Sequence, residues 1–135
     1  MALHVDYIVV GPPVSNQSTG PNLLVWRGAV ATAVGLAWNQ GCLTGELKAV
    51  VVNFYGTPRP TLDLDNLSKP ILDTMQGIVY NNDRQIGQAE LTNVSIFAAF
   101  VVTGVRPMVV NAIHAGSDFV YVRIEDPVYP LPLPR

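Results

Sequence analysis

Two clusters of breakers, GPPVSNQSTGPN at 11–22 and GTPRPT at 56–61, cut the N-terminal half of this chain into short elements. Proline fixes φ and offers no N–H, and ordering glycine loses extra backbone entropy, so neither run continues a helix or a ladder. What lies between must be compact. Residues 3–10, LHVDYIVV, are β-branched and apolar and predict a strand. Residues 22–39 set Leu23, Trp26, Val30, Val34 and Trp38 at near-helical spacing. Asn22 can cap that helix and Gly41 end it, while Gly28 and Gly35 weaken it. ELKAVVVNFY at 46–55 predicts a second strand.

The segment DLDNLSKPILDTMQG predicts a second helix, beginning near Asp65 or Asn66. Leu67, Ile71, Leu72 and Met75 line one side, and Asn66, Lys69 and Asp73 share the opposite polar stripe. Pro70 is expected near the first turn, since deeper in the helix it breaks a backbone bond, and Gly77 suits C′. A turn at IVYNND leads into a β-rich stretch from Gln85 to Thr103. Pro107 to Ala115 reads as a short helix stopped by Gly116, and 118–125 as the last strand. The order β-α-β-α-β(β)-α-β describes an α+β domain with a mixed sheet and two main helices. It spans 1–126, and 127–135 form a proline-rich tail, read as extended or frayed rather than as a ligand for an aromatic groove.

A length of 135 residues allows one core, and 49% hydrophobic residues with mean hydropathy +0.29 exclude disorder. No apolar run reaches a membrane span, and MALHVDYIVV has no basic segment ahead of its apolar stretch, so neither a membrane anchor nor a signal peptide is expected. The single Cys42 cannot form an intrachain disulfide; it reads as a small buried residue in a reducing cytoplasm. His4 and His114 lack partners at zinc-ligand spacing. Trp26 and Trp38 read as core or a dimer seam. Net charge is −2 with a pI near 5.5, which in bulk argues against nucleic acid. Four of the ten acids, however, fall between positions 63 and 83. A divalent cation there would cancel part of that charge.

Asp63 and Asp65 are two apart, so in extended backbone both carboxylates face one side and repel unless a cation or a proton lies between them. Mg²⁺ suits such oxygen ligands and keeps several waters. Asp83 follows Asp65 by eighteen residues, after a helix and a turn that can bring it back beside the helix start. Lys69 stands one helical turn from the pair and can stabilise charge on a phosphorane-like transition state or assist a leaving oxygen. Structural alternatives stay open at each position. Asp63 can serve a turn, Asp65 an N-cap, Asp83 an Asx-turn, and Lys69 an i,i+4 ion pair with Asp73.

The run D63-L-D65-N66-x-x-K69-x-x-x-D73, followed by G77-x-x-Y80-x-N-D83-x-Q85-I86, closely resembles the signature of the RusA family of Holliday junction resolvases. The likeness is densest over residues 59–86 and has many fixed positions. It implies a single RusA-like domain acting as a homodimer, a Mg²⁺-dependent endodeoxyribonuclease, with Mn²⁺ as a substitute, that resolves four-way junctions by paired symmetric nicks. By position, Asp63, Asp65 and Asp83 would be metal ligands, Lys69 the catalytic lysine, and Asn66 and Asp73 supporting groups. Such proteins act in recombination and repair in the cytoplasm, encoded by bacteria or by phage and prophage. Two departures stand out. Asn82 replaces the first of two adjacent acids, and Lys and Arg are scarce. Arg59 and Arg84 flank the site as candidates for phosphate contacts, with Arg27 on the first helix a weaker one; Asn16 and Gln17 can also reach DNA. The rival readings are a non-catalytic dimeric protein of the same fold and a metal-dependent phosphoesterase acting on simpler nucleic acids.

Overall fold

The computed structural model describes residues 2–56 and 62–135. Its elements run β1 (Leu3–Val10), α1 (Pro21–Ala37), β2 (Leu47–Tyr55), α2 (Leu64–Met75), a 3₁₀ turn (Asp83–Gln85), β3 (Ile86–Ser95), α3 (Pro107–Ala115) and β4 (Phe119–Glu125). The α+β reading and the element order hold. The strands form one mixed sheet ordered β1-β4-β2-β3. β4 pairs antiparallel with β1 and β2, whereas β2 and β3 are parallel. A parallel pair needs a crossover, and α2 lies within it.

Alternation along β2 explains the layering. Leu47, Ala49 and Val51 are buried with Trp26, Val30 and Val34 of α1 and with Ile71 and Met75 of α2. Phe54 faces the other way, stacked on Phe119 at 4.4 Å, and packs with Val109 of α3. The sheet therefore carries α1 and α2 on one face and α3 on the other. Each fully buried aliphatic side chain, such as Val30, Val34 or Ile71, contributes about 1.5–3 kcal/mol. Among the described residues no helix is long and apolar enough to cross a membrane.

Several expectations are corrected. α1 is capped by Gly20 with Pro21 at its start, so Asn22 lies inside the helix. α2 begins at Leu64, and Pro70 is its seventh residue rather than part of the first turn. The missing N–H leaves the carbonyl of Asn66, four residues back, without its helical donor. The Asn16 amide supplies one at 2.7 Å, so the proline makes the point where the 11–20 loop docks on α2. β3 ends at Ser95, whose hydroxyl accepts from the Phe97 amide at 3.1 Å and turns the chain away. Phe97 and Val101 beyond it are exposed despite strand-like composition. Cys42 is only half-buried. The tail is docked at its start, where Gln88 accepts from the Val128 amide at 2.8 Å and donates to its carbonyl at 3.1 Å.

Candidate functional site

The start of α2 places the first two acids. Asp63 is the N-cap residue, with extended backbone and no side-chain capping bond; Asn66 Nδ2 donates to its carboxylate at 3.4 Å. Asp65 lies within the first turn, where the positive end of the helix favours a negative charge. Because the helix starts at Leu64, the extended geometry assumed for the pair stops at Asp63. Successive helical residues turn by roughly 100°, so the two carboxylates do not share a side as extended neighbours would.

A cavity of about 290 Å³ runs along α2. Asp65, Ser68, Lys69, Asp73 and Asp83 line it, over a floor of Leu72 and of Ile86, Ala89 and Leu91 from β3. The crossover thus brings Asp83 to the same cavity as Asp65 and Lys69; Asp63 is not on the lining. Among the described residues no three His, Cys, Asp or Glu side chains stand together closely enough to hold one metal ion.

Other residues take the structural jobs that could explain these acids. Asn82, not Asp83, caps the 3₁₀ turn, its side chain accepting from the Arg84 amide at 2.9 Å. Gln85 completes a capping box, and its Nε2 donates to the carbonyls of Leu43 and Gly45 at 2.9 and 3.0 Å. The Asp83 amide donates to Gln76 Oε1 at 3.0 Å, while the carboxylates of Asp65 and Asp83 have no hydrogen-bond or ion-pair partner among the described residues. Asn82 therefore does useful structural work where the family pattern has an acid.

Lys69 pairs with Asp73 at 3.2 Å, the alternative open to it from sequence; the lysine is more than half exposed, so the pair contributes about 0.3–0.5 kcal/mol. Tyr80 closes the far end of α2. Its hydroxyl donates to the Leu72 carbonyl at 2.6 Å, and burial first, then the charges of Asp73 and Asp83, push its pKa well above the ordinary value. Ser68 is buried, and its hydroxyl has no partner among the described residues.

The donor chemistry fits a hydrated Mg²⁺. Such an ion is bound through one or two carboxylates and retains waters. Six waters at ~30 Å³ each need ~180 Å³, less than the cavity offers. A carboxylate cage formed in advance is not required for that mode of binding.

Residues 21–96, more than half of the chain, match the model of the family described as Endodeoxyribonuclease RusA. The chain belongs to the RusA family. No match was found among curated proteins. The RusA segment covers α1, β2, α2, the 3₁₀ turn and β3, and so contains every lining residue of the cavity. Of the three RusA arginines considered for phosphate contact, Arg84 is exposed with an unpartnered guanidinium among the described residues. Arg27 is half-buried and donates to Asn16 at 3.4 Å, so it is not a solvated helix face. Arg59 lies outside the described residues. Asn16 serves the loop contact to Asn66, and Trp26 and Trp38 are core. Sequence reasoning missed Ser68 and Gln76, which look ordinary on a polar stripe or turn; Gln85 entered only as a fixed position of the family signature, without its capping role. It also missed Asn53 and Asn93, although a polar residue inside the apolar run VVVNFY was a visible signal.

Proposed function

We propose that this RusA-family chain is a Mg²⁺-dependent endodeoxyribonuclease that resolves four-way DNA junctions, working as a homodimer by paired symmetric nicks. One observation carries the reading. Asp65 and Asp83, eighteen residues apart, line one cavity with Lys69, and neither carboxylate has a hydrogen-bond or ion-pair partner among the described residues. Asp65 and Asp83 would hold the ion, directly or through its waters, while Asp63, at the helix N-cap and off the cavity lining, would add negative charge beside it. Bound there, Mg²⁺, or Mn²⁺ in its place, supplies Lewis acidity and charge neutralisation at a phosphodiester. Lys69, held over the cavity by Asp73, can exchange that weak pair for a phosphate oxygen and stabilise the charge that builds during displacement. Asn66 steadies Asp63, and Arg84 offers a free cation for the DNA backbone. With so few basic residues, binding is expected to be weak and strongly salt-sensitive.

The test is cleavage of a synthetic four-way junction beside linear duplex and flap DNA, with Mg²⁺ and with EDTA. Paired nicks near the crossover, lost in EDTA and in Asp65→Asn, are expected. The acidic charge balance favours a second reading, a binding protein that does not cut, and junction binding without cleavage would establish it. Equal cleavage of all three substrates would point instead to a phosphoesterase on simpler nucleic acids.

A further inference from the structure

We propose that Asn53 and Asn93 are positioning residues, which together hold the Leu62 carbonyl and so set where Asp63 and Asp65 enter the site; this rests on the nuclease reading above. Asn53 is completely buried in the interior strand β2, on the face that carries Leu47, Ala49 and Val51. A valine or isoleucine suits that position, and burying an amide there costs free energy unless all its polar atoms are paired. Asn53 and Asn93 are direct partners in the parallel register of β2 and β3. Asn53 Nδ2 donates to Asn93 Oδ1 at 2.9 Å, and Asn93 Nδ2 donates to the Leu62 carbonyl at 3.3 Å.

The carbonyl fixes the direction of the whole relay. It can only accept, so Asn93 must present its Nδ2 to it and its Oδ1 to Asn53, which in turn must present Nδ2. Asn53 Oδ1 is then left over, buried and without a partner among the described residues. Two apolar residues would fill the same place with no orphaned buried amide, and only the exposed Leu62 carbonyl would lose its donor. What the amides add is a bond from the sheet to the backbone one residue before the N-cap of α2. That bond acts on the helix entry from below, as the Asn16 amide does from the loop above.

The test compares wild type, Asn53→Val/Asn93→Val, Asn93→Ala and Asp65→Asn by thermal melting, by Mn²⁺ titration followed by electron paramagnetic resonance, and by junction cleavage. Replacing both hydrogen-bonding partners with apolar groups is close to neutral for stability. The double variant is expected to melt at or above the wild-type temperature. Its Mn²⁺ affinity should weaken by about tenfold, the lower end of what groups orienting a metal ligand contribute, with kcat falling and KM for the junction unchanged. A stable double variant with wild-type Mn²⁺ affinity and kcat overturns the proposal. If that variant does not fold, Asn93→Ala alone decides by the same two readouts, scaled to its folded fraction. Should Asp65→Asn abolish Mn²⁺ binding and cleavage while the asparagine variants do not, positioning falls and the nuclease reading survives. Should Asp65→Asn leave both intact, the two fall together.

Discussion

Replacing Asp83 with asparagine separates a ligand from a structural acid. In the fold its amide is held by Gln76, its turn is capped by Asn82, and its exposed carboxylate has no partner among the described residues. Removing the charge should therefore change stability by no more than about 0.5 kcal/mol. For 135 residues the unfolding entropy is about 0.28 kcal/mol/K, so that limit corresponds to a shift of about 2 °C. Asp118→Ala is the contrasting control. Asp118 Oδ1 accepts the part-buried Gly56 amide at 2.6 Å, and orphaning that donor should cost about 1–3 kcal/mol, or about 4–11 °C. Melting curves with and without Mg²⁺, alongside single-turnover nicking of a four-way junction, read both effects. At ten times its dissociation constant, Mg²⁺ should raise wild-type stability by about 1.4 kcal/mol, or about 5 °C. Asp83→Asn should lose that increment and at least about 100-fold in nicking rate. A variant that melts like Asp118→Ala, or that nicks at the wild-type rate, refutes the assignment.

Lys69→Gln should alter stability by less than about 0.5 kcal/mol, since it removes only an exposed pair, yet lower nicking about 100-fold with junction affinity little changed in a gel-shift titration. Pro70→Ala restores an N–H that competes for the Asn66 carbonyl, so hydrogen–deuterium exchange at the Asn16 amide should accelerate. Burial, then the hydrogen bond to Asp6, pushes Tyr121 up to about 12 from an ordinary 10.0. The unfolded chain ionises first, so the protonated tyrosine's contribution is complete below pH 10 and is lost as pH rises from there to about 12. Denaturant melts across that range should show the loss, and Tyr121→Phe should make it shallower without abolishing it, because burial also raises Tyr7 and Tyr80.

What was legible in the sequence is what local chemistry decides. β1 and α3 fall where a β-branched run and a proline-to-glycine frame place them, and Gly116 ends α3 with φ 81°. The misplaced features depend on distant partners. Pro70 is tolerated inside α2 because a residue from the 11–20 loop satisfies the carbonyl it orphans, which no local rule anticipates. IFAAFVVT at 96–103 has strand composition, but a serine turn removes it from the sheet. In the site, chain order suggested that Asp83 returns beside the start of α2; it returns to the cavity along that helix, but its amide is held by Gln76, the C-cap residue, so it lies towards the opposite end. The Asp63–Asp65 geometry was misjudged because an N-cap without a side-chain bond gives no sequence signal for where the helix begins.

The parallel pairing of β2 with β3 ties the candidate site to the outer margin of the sheet. All three candidate acids lie in the connection between those strands, which no tight hairpin could replace. Peeling β3 away would remove the cavity floor and release the segment bearing Asp83 in one event. On the proposed reading, catalytic competence and attachment of this margin are one property, so a partly opened molecule would carry no stray nuclease.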